Sequence, residues 1–315
     1  MKHKFTALIL LFISVIFIIS GCSNPTNTKK AGNKDKLIVY TTVYPLQYFT
    51  ERIGGKWVEA NTVYPPGADE HTFEPTQKDM MKLADSDLFF YIGFGLEGFV
   101  ESTKDTLKNE QVRLVAAGEK VHMDSDSSKE ENHEEEDGHD HGDVNPHIWL
   151  DPVYSKDMVQ VIEKELIKAM PKHEKEFAAN SKKLLDELDK LDARYEDVIA
   201  KANNKEIIVS HAAFGYWENR YHLKQTSISG LSTSSEPSQK ELKQIIATAK
   251  DKNIKYIFFE QNVTSKLTKI VQNEIGAKPL TLHNLSVLTD EDIKKDRNYM
   301  TIMYDNLDAL EKALQ

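Results

Sequence analysis

The side chains of this chain with the most evident chemistry are histidines and carboxylates, and they are unevenly spaced. Residues 122–143 hold four histidines (His122, His133, His139, His141) among ten acidic residues and a single lysine. Imidazoles and carboxylates crowded together in this way suit a transition metal. The tract has no apolar periodicity and reads as disordered. The run that follows, Asn145-Pro146-His147-Ile148-Trp149-Leu150-Asp151-Pro152, has a tryptophan and two prolines and reads as ordered. Two more imidazoles stand apart: His71 in the loop at 68–75, and His211 directly after the apolar run at 206–210. Cys22 is the only cysteine, which excludes an intramolecular disulfide and a thiolate metal site. Imidazole suits zinc, which favours four tetrahedral partners, with nitrogen at about 2.0–2.1 Å. An oxygen-only shell, as magnesium or calcium requires, is not what these residues offer.

These loops need a frame to bring them together. Leu37-Ile38-Val39-Tyr40 reads as a buried strand, residues 46–53 as a helix stopped by Gly54-Gly55, and residues 58–64 as a second strand ended by Pro65-Pro66-Gly67. Thr76-Gln77-Lys78-Asp79 has the form of a capping box opening a helix, and residues 87–92 form a third strand. Strand and helix alternate, which argues for a parallel α/β sheet. Residues 155–170 read as a helix. Apolar positions at Leu184, Leu188, Leu191, Tyr195, Val198 and Ala202 mark a longer one, about 48 Å if it runs over 172–203. The second half then repeats the first. Glu236-Pro237-Ser238-Gln239-Lys240-Glu241 restates Glu74-Pro75-Thr76-Gln77-Lys78-Asp79, and Tyr256-Ile257-Phe258-Phe259 parallels Leu88 to Tyr91. The fold expected is α/β, with two similar lobes, each a parallel-type sheet flanked by helices, linked by one long helix. In such sheets ligands gather beyond the carboxyl ends of the strands, where His71 and His211 fall.

The ends and the charge narrow the reading. A basic start and an apolar run to Ile19 form a secretory signal, too short to span a membrane as a helix. Ile19-Ser20-Gly21-Cys22 resembles the lipobox of bacterial lipoproteins, which implies cleavage before Cys22 and lipid, palmitate included, on its sulfur. The domains expected are a signal peptide at 1–21, a lipidated flexible tether at 22–36, an N-terminal lobe at 37–170 carrying a disordered loop at 122–142, a linking helix at 171–205 and a C-terminal lobe at 206–315. The net charge of −10 is concentrated in the acidic tract, so no basic field for nucleic acid exists.

Taken together, Thr42-Val43-Tyr44-Pro45, His71-Thr72-Phe73-Glu74-Pro75-Thr76, the His-rich insert before Pro146-His147-Ile148-Trp149-Leu150, Ser210-His211-Ala212-Ala213-Phe214-Gly215-Tyr216, Gly230-Leu231, Glu236-Pro237-Ser238 and Phe259-Glu260 are specific. The chain resembles the zinc-specific solute-binding lipoproteins of bacterial ABC importers. The resemblance implies zinc ligation by His71, His147 and His211. It also implies a monomer held at the outer face of the cell membrane, delivering Zn²⁺ to a permease subunit with its cytoplasmic ATPase. Ser286 departs from the pattern, because it stands where relatives place a carboxylate. The fourth ligand is then Glu70, water, or His283 after a local register shift, with Glu70 or water favoured. Glu260 is read either as a brace at the lobe interface or as a metal contact. His122, His133, His139 and His141 are read as an auxiliary collector of metal, and His173 and His222 as partnerless surface residues. The competing functions are a surface-anchored zinc hydrolase, which lacks a His-Glu-x-x-His motif here, and a zinc-buffering adhesin.

Overall fold

Short strands, the most apolar of them Leu88–Tyr91 and Tyr256–Phe259, alternate with helices along this chain. The computed structural model describes residues 36–123, 144–261 and 265–315. Cys22, His133, His139, His141, the signal peptide and nearly all of the tether lie outside the described residues. The first lobe contains β1 (Leu37–Thr41), α1 (Tyr44–Gly54), β2 (Val58–Thr62), α2 (Gln77–Ala84), β3 (Leu88–Tyr91), α3 (Val100–Leu107) and β4 (Arg113–Ala116). Its four strands pair in parallel in the order β2-β1-β3-β4, with Leu37 opposite Val58 and Phe89 opposite Leu114. The second lobe has β5 (Glu206–His211), β6 (Lys224–Ser229), β7 (Tyr256–Phe259) and β8 (Lys278–Thr281), in the equivalent order β6-β5-β7-β8. The expected pairing of two lobes of like architecture is therefore present down to strand order.

The duplicated hexapeptide plays the same part in both lobes. Thr76 accepts from the Asp79 N–H to open α2, Ser238 accepts from the Glu241 N–H to open α7 (Gln239–Asp251), and both boxes are reciprocal. Some elements were invisible to pattern reading. β4 is four residues with only Val115 fully buried, and α3 is two turns long, so neither supplies enough periodicity to stand out.

Between β4 and β5 in sequence lie α4 (Pro152–Ala169) and α5 (Glu174–Ala200). The helix expected over 171–205 is shorter than that: Pro171–His173 form a 3₁₀ turn, and α5 spans 27 residues, about 40 Å. Its first half is fastened to the first lobe, where Arg52 pairs bidentately with Glu187 at 2.8 and 2.9 Å and Asn180 donates to the Ile53 carbonyl. Its second half is fastened to the other lobe, with Tyr195 donating to the Met303 carbonyl at 2.7 Å and Asp192 accepting from Tyr221 at 2.8 Å. His173 is not partnerless, since its ring stacks on Trp57 with centroids 3.7 Å apart. One continuous apolar core joins the lobes through Trp149, Leu150, Phe214, Trp217, Leu285 and Tyr299.

Leu188 is fully buried on α5. Leu188→Ala is expected to lower the unfolding free energy by about 2–5 kcal/mol, measured by denaturant titration, because the cavity left behind adds to the lost burial.

Candidate metal centre

Each candidate ligand is held by a local device that its own sequence supplies. After β2, Pro65-Pro66-Gly67 turns the chain back, and Asp69 Oδ1 accepts the His71 N–H at 2.9 Å while its carbonyl accepts from Phe73 at 3.1 Å. Tyr64 donates to the Glu70 carbonyl at 3.3 Å. This turn points adjacent side chains, Glu70 and His71, into the cleft. His147 precedes a 3₁₀ turn, Ile148–Leu150, and Asp151 then caps α4 by accepting from Val153 and Tyr154. His211 is the last residue of β5, at the carboxyl edge where parallel sheets present ligands.

Glu70, His71, His147 and His211 converge, with one ligand atom from each lying within 4.8 Å of all the others. His147 is fully buried, His211 and Glu70 nearly so, and His71 sits at the rim. The Nδ1 atoms decide the tautomers. His147 Nδ1 faces the Asn145 side-chain oxygen at 2.8 Å, and Asn145 shows its orientation by donating from Nδ2 to the Ala212 carbonyl at 3.1 Å. His211 Nδ1 faces Glu260 Oε1 at 2.5 Å. Both partners are acceptors, so each Nδ1 carries hydrogen and each Nε2 presents a lone pair. Those two Nε2 atoms are 3.2 Å apart. The His71 Nε2 is buried without a hydrogen-bond partner. Three nitrogen donors therefore face one small space, and the Nε2 separation is close to the edge of a tetrahedron with metal–nitrogen bonds of about 2.0–2.1 Å.

The carboxylate is also positioned from outside. Ser286 Oγ donates to Glu70 Oε2 at 2.8 Å, and Asn284 Nδ2 donates to Glu70 Oε1 at 3.0 Å and to Glu260 Oε2 at 2.8 Å. Ser286 thus holds the carboxylate supplied by the opposite lobe, where the sequence showed only a missing ligand. Glu260 is a brace: it accepts from Ser210 and Asn284 and orients His211, and it is outside the ligand group. His283 is also outside the group. The register shift that would bring it in is not adopted, because its Nδ1 accepts from the Leu285 N–H at 2.9 Å and its Nε2 lies 3.2 Å from Asp292. Asn306 clamps its backbone, both N–H and carbonyl, at 2.8 Å. His122 is exposed beside Asp157 and does not join the cluster. Asn145 and Asn284 had no role in the sequence reading. Asn145 was signalled only by its place two residues before His147.

The family described as zinc-uptake complex component A, periplasmic (ZnuA), matches residues 39–313. The chain belongs to the ZnuA family. That membership places it among binding proteins rather than enzymes. A relative within the family's range, the high-affinity zinc uptake system protein ZnuA of Bacillus subtilis, is 35% identical over 311 residues, covering 97% of each chain. The zinc-binding protein AdcA of Streptococcus pyogenes is 34% identical over 98% of this chain. This chain spans only 61% of AdcA's length. The Zn(II)-bound ZnuA-like domain of Streptococcus pneumoniae AdcA superposes with a TM-score of 0.73 at 31% identity, covering 89% of this chain and 99% of that one.

Burial, followed by the charge of neighbouring His211, pushes the His71 pKa down to about 4. Burial likewise drives His147 well below the ordinary value. Burial opposes charge on His211 too, but Glu260 outweighs it and raises the pKa above 6.5. Burial lifts the Glu70 carboxyl to about 7. In metal-free protein followed by NMR of the imidazoles, His211 is therefore expected to gain its proton first as pH falls, above 6.5, and His71 only near pH 4. The opposite order would contradict the assignment of Glu260 as partner of His211.

Proposed function

We propose that this chain captures extracytoplasmic Zn²⁺ between its lobes, through the Nε2 atoms of His71, His147 and His211 and the Glu70 carboxylate, and delivers it to an ABC-type import permease driven by a cytoplasmic ATPase. The observation that carries the reading is the pair of opposed Nε2 lone pairs 3.2 Å apart, beside an unpartnered His71 Nε2 and a buried carboxylate. Family membership and the zinc named in the relatives' descriptions support the choice of metal. Lipid on Cys22 would keep the protein at the membrane face, as a monomer within reach of its permease. The 122–142 segment collects zinc weakly and raises its local concentration without forming the tight site. Glu70 in the fourth position works against the hydrolase reading, since catalytic zinc keeps an open position for water.

Histidine and carboxylate ligate only without their protons, and the pKa values of His211 and Glu70 are raised, so zinc competes with protons at both and binding weakens in acid. Calorimetry of the wild-type chain is expected to give one tight site. Alanine at 71, 147 or 211 is expected to weaken it by about 100-fold or more, and Glu260→Gln by about 10–100-fold, through the loss of His211 orientation. Deleting residues 122–142 is expected to leave the tight site intact. Tight stoichiometric binding that survives His147→Ala, or that vanishes with the deletion, would overturn the assignment. In cells, a deletion strain whose growth defect is not relieved by added zinc would count against transport.

A further inference from the structure

The loop at 230–236 follows β6 at the carboxyl edge of the second sheet and is folded on itself. The Gly230 N–H donates to the Ser235 carbonyl at 3.1 Å, the Ser235 N–H to the Ser232 carbonyl at 3.0 Å, and the Ser232 and Ser234 hydroxyls pair at 2.8 Å. At its base, the Gly230 carbonyl accepts from the N–H of Ala212, the neighbour of His211, at 3.0 Å. At its tip, Thr233 Oγ1 crosses to the other lobe and donates to Asp69 Oδ2 at 2.7 Å. The second oxygen of the same carboxylate accepts the His71 N–H at 2.9 Å. The His71 and His211 loops are thus joined by a hydrogen-bonded path that does not involve their ring nitrogens.

Beside this loop lies a cavity of about 260 Å³ lined by Ser210, His211, Ser229, Thr233, Glu236 and Glu260, with Lys266 the one cationic side chain among its lining residues. Hydroxyls and carboxylates can replace part of the hydration shell of a divalent cation, and this lining ends at a proposed ligand. His147, by contrast, is fully buried against Trp149. We propose that the 230–236 loop is a latched gate on the ion's passage, held shut by the Thr233–Asp69 hydrogen bond, and that its opening widens the polar cavity beside His211 into the path by which Zn²⁺ enters and leaves. This rests on the zinc-site reading above. Thr233 is a positioning residue in this scheme and contacts no ion.

Neither Thr233 nor Asp69 belongs to the proposed ligand set, so the latch is expected to oppose entry as well as exit. Losing a hydrogen bond to a charged carboxylate is worth a factor of about 10 in the opening equilibrium. Stopped-flow release of zinc into excess chelator, paired with stopped-flow binding and thermal unfolding, tests this on wild type, Thr233→Val and Thr233→Ser. Thr233→Val is expected to speed release and binding together, each by about tenfold, leaving Kd within about threefold of wild type, and Thr233→Ser is expected to restore both rates. Release unchanged within about twofold in Thr233→Val would overturn the gate. So would a weaker Kd with slower binding, which is the signature of a bond that only props up His71. Failure of the wild type to bind zinc stoichiometrically would overturn the zinc-site reading itself, and the gate with it.

Discussion

Two imidazole nitrogens that both present lone pairs repel each other, and the buried Nε2 atoms of His147 and His211 face each other at 3.2 Å, where a cation between them or a proton on one relieves the repulsion. That repulsion is built into the fold. Asn145 and Glu260 each take the Nδ1 hydrogen of one histidine, which forces Nε2 of both rings toward the same point. Glu70 adds a buried carboxylate pinned by Asn284 and Ser286. Burial raises the pKa of Glu70 and the Glu260 carboxylate raises that of His211, so both groups hold protons more tightly than their free counterparts. A divalent ion relieves the repulsion more fully, because it can satisfy all the donors at once.

The rest of the molecule keeps those donors at a fixed spacing. Parallel sheets place ligand loops beyond their strand ends, and two such sheets with their loops facing a common cleft bring together residues far apart in sequence. The helix α5 is fastened to both lobes and the apolar core runs between them without a break, so wide hinge opening would expose Trp149, Trp217 and Leu285 to water. Motion confined to loops costs far less, and the loops are where the proposed ligands sit.

How much of this was legible in the sequence depended on the kind of signal. The duplicated capping boxes and aromatic strands announced two like lobes, because capping chemistry and strand composition are local. His71, His147 and His211 fell beside strand ends or an ordered turn, but it was the resemblance to zinc-binding lipoproteins that implied ligation by them. The fourth position was narrowed to Glu70, water or His283, with Glu70 or water favoured, and the structure brings Glu70 to the three histidines. Ser286 looked like a lost ligand when judged by its own side chain, whereas its function is to donate to a carboxylate 216 residues away in sequence. His283 looked available because nothing local reveals that Asn306 clamps its backbone and Asp292 faces its ring. Glu260 was ambiguous for the same reason: bracing and ligation call for the same residue type at the same place, and only geometry separates them. The loud histidine tract and the quiet segment after it also differed in legibility, since composition advertises a tract while a single buried imidazole depends on partners elsewhere.

The most direct test of the central claim is the coordination shell itself, measured on zinc-loaded protein by diffraction at the zinc absorption edge together with X-ray absorption fine structure. One anomalous scatterer is expected between the lobes, with three nitrogen neighbours at about 2.0–2.1 Å from His71, His147 and His211 and oxygen from Glu70 completing the shell. A scatterer outside the cleft, or a shell without three imidazole nitrogens, would contradict it.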